Sequence, residues 1–517
     1  MDYTELPDDP RAVGVPHAEW FNYQRQAIDF ISKSKKKFCL VEGHTGVGKS
    51  AVVSAQAHFN EKVTVLTATH SLTDQYEGVY SFSAIRGKDN YSCAEQSLGI
   101  SCDYCLYSPM GKCPSIDCCE YHITKLRALS ARRTVSNYHY AWYSSSIQKR
   151  SDFLACDEAH LIENTVLSIV GVELKIGHLR RFWLPDFPVV MKSTVNVESP
   201  FFSGVMQWLD ECIEILEPIA KEPKDGNPVL PEERAAFYRL RDLKALYTGL
   251  ESGEEWFVNS GPQVHPNPIG IGYTPGFVCK PLDPGRFAPG LFSGFDKVLL
   301  ISATLGDPEV LAETLGLPDG QWESSHFADP QFIQKNPVYV VPSPEMTAKA
   351  GEKEYEAQAD TIAWVVGQQS KEDRGIVFTT SWYRVEQMAK ALGRRGLSDR
   401  IYVPNKGKTG QQVDGFLNGG PGTIAIVPIF SWGHGLDLTP DKCNFSILAK
   451  TPWMDWGDPY VQARAKRKGG RKWYDTWAAI LGTQALFRVR SGNRYIVDGS
   501  WKRVHKYAPR WLRAEEV

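Results

Sequence analysis

The chain has 517 residues, of which 42% are hydrophobic and 23% charged, and its formal net charge is −2. Such a length allows two to four domains of an ordinary soluble kind, and no apolar run is long enough to span a membrane. The near-neutral charge excludes a uniformly basic coat, so a nucleic-acid groove would have to be a local surface.

The acidic start MDYTELPDDP is no signal peptide, and we expect a soluble protein of the cytoplasm. Apolar Phe21, Ala27, Ile28 and Ile31 predict a helix before the first strand. On it, Gln24 is either an adenine-reading amide or a surface glutamine. The run FCLV predicts a buried strand, followed by Gly43-His44-Thr45-Gly46-Val47-Gly48-Lys49-Ser50 and then a helix from AVVSAQAHF. This is G-x-x-x-x-G-K-[ST]. Its glycines let backbone N–H groups curl around a phosphate, Lys49 would reach the β- and γ-phosphates, and Ser50 would hold Mg²⁺. The helix N-terminus adds partial positive charge. We therefore expect ATP as ligand, with Mg²⁺.

Val63 to Thr69 reads as a second strand. Thr69 and Ser71 after it suit helix capping better than phosphate contact. Six of the eleven cysteines then crowd between Cys93 and Cys119: Cys93, Cys102, Cys105, Cys113, Cys118 and Cys119. A polar segment with that many thiols predicts zinc or an iron–sulfur cluster rather than disulfides. The other five cysteines sit singly in apolar surroundings and read as buried thiols.

FLAC predicts a strand that ends at Asp157-Glu158-Ala159-His160. Downstream of a phosphate loop, such a pair suits an NTPase. Asp157 would bind Mg²⁺ through water, and Glu158 would polarise the attacking water. Residues 166–285 read as a mainly helical insert with a loop-rich return. VLLI then predicts a strand ending at Ser302-Ala303-Thr304. The second half carries strands at GIVFT, TIAIV and FSILA, a helix from Tyr474 to Leu486, and a basic, aromatic tail.

These motifs, in this order, resemble superfamily 2 helicases, and the cysteine insert is similar to that of the iron–sulfur branch that includes DinG and XPD. EGHTGVGKS, CDEAH and ISATL match the first half; NYSC and VSNYHYAW frame the insert; FTTSW, SWGHGLDL, AKTPWMDWGDPYVQAR and QALFRVRSGNRYIVDGS match the second. The resemblance implies an α/β fold of two RecA-like lobes, parallel sheets flanked by helices, with a cysteine-rich insert and a helical arch-like insert in lobe one. On this plan, lobe one takes 1–85, 129–165 and 286–306, the iron–sulfur insert 86–128, the arch-like insert 166–285 and lobe two 307–517. It also implies ATP-driven movement on single-stranded DNA, 5′ to 3′, with forked or tailed duplexes as substrates.

By the same resemblance, Gln24, Gly43, Thr45, Gly46, Gly48, Lys49, Ser50, Asp437 and Arg490 hold the nucleotide, and Arg488 joins Lys49, Asp157 and Glu158 in catalysis. A [4Fe–4S] cluster falls to Cys93, Cys105, Cys113 and Cys119, with Cys102 as the alternative to Cys105 and Cys118 spare. Three features depart from the family pattern. Gly43 and His44 replace the usual small residues of the phosphate loop. In the last motif Phe487 replaces glycine, and the second arginine, Arg490, stands one place early, with Ser491 in its position. There are also more cysteines than ligands. Two other readings remain open: a translocase that remodels without unwinding, and a zinc-bearing nucleic-acid module with a weak ATPase.

Overall fold

The computed structural model describes residues 5–94, 101–105, 115–149, 152–187, 191–222, 229–260, 262–267, 270–405, 409–433 and 438–517, with side chains left aside at 104 and 262–275. The first five strands are β1 (Phe38–Gly43), β2 (Val63–Thr67), β3 (Ser83–Ile85), β4 (Arg133–Asn137) and β5 (Phe153–Asp157). Every residue of β1, β2 and β5 is buried. Continuous apolar runs such as FCLV suit parallel strands that are covered on both faces, because neither side can face water.

An inserted unit follows. It contains β6 (Val172–Lys175), β7 (Lys192–Val195), β8 (Trp256–Asn259), β9 (Pro262–Asn267) and β10 (Gly270–Pro281). These form an antiparallel sheet in the order β6-β10-β8-β7, with β9 on β10. Helices Phe202–Leu216 and Pro231–Glu251 pack on it. On the first helix Val205, Trp208, Leu209, Cys212 and Leu216 are buried, the spacing of one helical face. The unit is therefore a helix-and-sheet body, and the return expected to be loop-rich is largely strand.

The chain then completes the first sheet with β11 (Lys297–Ser302) and β12 (Trp322–Phe327). All seven strands run parallel in the order β12-β1-β11-β5-β2-β4-β3. Because β12 pairs with β1, the first lobe extends beyond residue 306, where the sequence placed its end. A second all-parallel sheet is built from β13 (Val338–Val340), β14 (Gly375–Thr379), β15 (Ile401–Tyr402), β16 (Ile424–Pro428), β17 (Phe445–Leu448), β18 (Arg494–Ile496) and β19 (Ala514–Glu516). Its order is β15-β16-β14-β17-β18-β13-β19.

Register decides what meets at the edge of the first sheet. Glu42 lies opposite Ser302, and Ile301 opposite Asp157. The phosphate loop, the Ser302-Ala303-Thr304 turn and the Asp157-Glu158 pair thus leave the sheet side by side. Carboxyl ends of parallel strands are where such sheets bind ligands. Among the described residues, no helix is long and apolar enough to cross a membrane.

Candidate active site

Gly46 and Gly48 have φ of 82° and 87°, so the phosphate loop turns through a region that side chains rarely adopt. Gly48 then starts the Lys49–Ala55 helix. Lys49 Nζ donates to Gly43 O at 3.3 Å, curled back over its own loop. Thr45 lies on the loop, and its carbonyl accepts from His44 Nδ1 at 2.8 Å. Gln24 is not turned outward. Its Nε2 donates to Val47 O at 3.0 Å, and its Oε1 accepts from Phe21 N at 3.2 Å. Both ends of the amide brace the protein, so Gln24 is buried beside the phosphate loop rather than a surface glutamine. Thr69 caps the His70–Tyr80 helix through Leu72 N, the role expected of it.

Asp157 is buried, and Tyr76 OH donates to its Oδ2 at 2.9 Å. Ser50 hydrogen-bonds the same phenol, so the two expected magnesium residues are joined by a tyrosine that the sequence did not single out. Burial, then the charge of Glu158, pushes Asp157 up to about 6, partly offset by Lys49. A bound cation would reverse that, since it favours the carboxylate. Glu158 has a φ of 54°, which costs about 1–3 kcal/mol for a residue with a β-carbon and is the kind of strain that gathers at active sites. Burial alone would raise its carboxyl. His160, Lys49, the Ser302 hydroxyl and Arg488 together hold it below its ordinary value.

A relay of hydrogen bonds leaves Glu158 for the other lobe. Ser302 Oγ donates to Glu158 Oε2 at 2.9 Å, and His160 Nδ1 lies 2.8 Å from Ser302 Oγ. Gln484, on the Gly470–Leu486 helix of the second lobe, places its Nε2 2.7 Å from His160 Nε2 and 2.9 Å from Thr304 Oγ1. Beyond that helix, Leu438 pairs with Val489 in an isolated parallel bridge. Leu438 N donates to Arg488 O, and Arg490 N to Leu438 O. Extended backbone turns alternate residues to one face, so Arg488 and Arg490 face together while Val489 is buried. Arg488 lies close enough to act on Glu158, and a side chain built at Gly46 would stand 3.6 Å from Arg490 Nη1. The early second arginine therefore reaches the phosphate loop from a neighbouring position. Asp437 lies outside the described residues.

Two of the departures from the family pattern meet. His44 stacks on Phe332 at 3.8 Å, Phe332 lies 6.1 Å from Phe487, and Trp511 touches both His44 and Phe487. His44 Nε2 accepts Asp329 N at 3.0 Å, a role open only to the neutral ring. Burial first, then Lys49, holds its pKa down to about 4. Beside it, Glu42 is buried and accepts Leu305 N at 2.9 Å and Arg510 N at 2.8 Å. Burial pushes that carboxyl up to about 7.

A clasp between the lobes was not legible in the sequence. Glu163, on the Ile162–Val170 helix just after the Asp157-Glu158 pair, is buried. Trp473 Nε1 and Trp477 Nε1 each donate to it at 3.0 Å, and Arg464 Nη2 lies 3.0 Å from Oε1. Two tryptophans four residues apart share a helix face, which from sequence alone looks like ordinary core.

Among the described residues, no three His, Cys, Asp or Glu side chains gather as a metal site. The thiols nevertheless cluster. Cys93, Cys102 and Cys119 are buried in one core, and Cys105 packs against it. Cys102 Sγ is 3.9 Å from Cys119 Sγ. Burial, then the charges of Cys119, Cys93 and Cys105, pushes the Cys102 thiol up to about 12. One pair of these thiols is in contact, and the other two lie in or against the same core. Cys118 is exposed, and Cys113 lies outside the described residues.

Residues 17–176 match the family described as type III restriction enzyme, res subunit. A probable ATP-dependent helicase of Methanocaldococcus jannaschii is 24% identical over 278 residues, covering 43% of this chain and 42% of that protein. The chain thus matches less than half the length of this curated relative. An XPD helicase structure superposes with a TM-score of 0.57 at 13% identity, over 97% of this chain and 100% of the other. Xpd4 of S. tokodaii superposes at 0.56 and 11% identity, over 96% and 100%. At these identities the structures establish the fold: two parallel-sheet lobes arranged as in XPD helicases.

His44 has a folded pKa below its unfolded one. Its stabilising effect is complete above pH 6.5 and is lost as the pH falls towards about 4. His44→Gln lacks that term. On lowering the pH from 7 to 5, the melting temperature of the wild type should therefore fall more than that of the variant. Parallel curves would mean that His44 is not held neutral by folding.

Glu163→Ala leaves a guanidinium and two indole N–H groups buried without an acceptor. We expect a loss of about 3–5 kcal/mol, with a lower melting temperature and a larger radius of gyration by small-angle scattering. An unchanged variant would show that the clasp does not hold the lobes.

Proposed function

We propose that the chain is an ATP-hydrolysing DNA helicase that moves 5′ to 3′ on single-stranded DNA and parts forked or tailed duplexes. The observation that carries this reading is the meeting of Lys49, Asp157 and Glu158 from one lobe with Gln484, Arg488 and Arg490 from the other. Phosphoryl transfer needs little covalent help and much placed charge. Lys49 offsets the β- and γ-phosphates, Glu158 orients the attacking water, and Arg488 meets the charge that builds on the γ-phosphoryl group. Magnesium, when bound through Ser50 and Asp157, neutralises charge on the phosphates. The relay through Ser302, His160 and Gln484 ties the protonation and position of Glu158 to the second lobe, so hydrolysis and lobe movement are coupled.

The strand path is supported by a cavity of about 1200 Å³ between the first lobe, the cysteine insert and the inserted unit. Five cations and four tyrosines line it against four carboxylates, so stacking contributes at least as much as charge. Arg241 of the inserted unit stacks on Tyr143 of the first lobe at 4.9 Å and on Tyr238 at 5.2 Å. Arg234 Nη1 donates to Asp103 O at 2.6 Å, which closes the ring on the cysteine side.

Glu158→Gln should bind Mg·ATP and lose at least about 100-fold in turnover, the effect of removing a placed acid–base group. Lys49→Ala should lose both binding and turnover. A folded Glu158→Gln protein with wild-type turnover would mean that another group orients the water.

The reading includes a [4Fe–4S] cluster held by Cys93, Cys105, Cys113 and Cys119, with Cys102 as the alternative to Cys105. Such a cluster would staple a polar insert that has little core of its own. Anaerobically purified protein should carry iron and labile sulfide. Cys113→Ser should lose both, and loss in Cys102→Ser but not in Cys105→Ser would make Cys102 the fourth ligand. One zinc and no iron would replace the cluster with a structural zinc.

A further inference from the structure

Trp183 is the most exposed large apolar side chain among the described residues, at 88%, and its backbone has a φ of 55°. It follows the Ile176–Arg181 helix of the inserted unit. Leu184 N donates to Leu179 O at 2.9 Å and Trp183 N to Arg180 O at 3.4 Å, the closing pair of a helix whose next residue turns left-handed. Glycine is the usual occupant of that position, because a β-carbon there is strained. Here a tryptophan occupies it and gains no burial in return.

The turn around it is firmly set. Leu179, Phe182 and Leu184 are buried, and Pro185 O accepts Trp208 Nε1 at 3.0 Å. The strained position therefore presents a flat, rigid indole to solvent from an anchored base. Its surroundings bear on the ligand. Arg180 and Arg181 precede it, both exposed, with Arg181 4.0 Å from Glu232, and the start of the same helix, at Lys175 and His178, lines the 1200 Å³ cavity. Six helical residues span about 9 Å, so Trp183 stands a short step from the mouth of that cavity.

We infer that Trp183 is a nucleobase-stacking residue that receives an unpaired base where the strand meets the inserted unit, with Arg180 and Arg181 facing the flanking phosphates. This rests on the single-stranded DNA reading above. Every base offers a π-face, so the contact would be insensitive to sequence.

Strain and function pull in opposite directions here, which makes glycine the informative substitution. Trp183→Gly should melt at or above the wild-type temperature, keep DNA-independent ATP hydrolysis, and bind a fluorescent oligothymidylate roughly 5- to 100-fold more weakly. Trp183→Phe should retain most of the affinity. If the wild type binds the oligothymidylate and Trp183→Gly binds it equally well, the inference is overturned and the indole serves another partner, such as a protein. If the wild type does not bind it, the single-stranded DNA reading falls, and this inference falls with it.

Discussion

A carboxylate buried without water must be surrounded by donors, and Glu163 finds two indoles and a guanidinium on the opposite lobe. That one requirement fixes how the lobes sit. Trp473, Trp477 and Gln484 lie on a single helix, and the eleven steps from Trp473 to Gln484 rise about 16 Å. One end of the helix is clasped at Glu163. The other reaches His160 and Thr304 and delivers Arg488 and Arg490 to the phosphate loop. Both arginines are thus placed by a contact at the far end of that helix.

A second anchor works at the phosphate loop itself. Glu42 takes backbone N–H groups from Leu305 of its own lobe and Arg510 of the tail, and Trp511 Nε1 donates to Ala303 O at 2.7 Å. The His44–Phe332 stack and Phe487 fill the space between. His44 and Phe487 each look like a flaw when compared singly with the family pattern. Side by side they form one aromatic joint between a nucleotide loop and the lobe that must move against it. Two anchors, one at Glu163 and one beside the phosphate loop, leave the lobes a limited set of relative motions.

How much of this was legible depended on where the information sits. Strands such as FCLV and VLLI were plain because parallel strands buried on both faces are continuous apolar runs. The edge strand WESSHF was hidden because it is polar and half-exposed, and it carried the lobe boundary with it. The antiparallel sheet of the inserted unit was read as loop, since proline and glycine in 253–289 masked its strands. Motif residues of the nucleotide site could be named because their spacing is local. Tyr76, Glu163 and the use of Gln24 as a brace could not, since each depends on partners distant in the chain. Cysteine count announced a cluster of thiols, but spacing alone did not separate Cys102 from Cys105.

The central claim is that ATP hydrolysis in the cleft drives strand separation. Strand displacement on duplexes carrying a single 5′ or 3′ tail, with ATP and Mg²⁺, tests it most directly. We expect displacement of the 5′-tailed duplex only, and only with hydrolysable nucleotide. Hydrolysis stimulated by single-stranded DNA with no displacement of either duplex would contradict the claim and leave a translocase in its place.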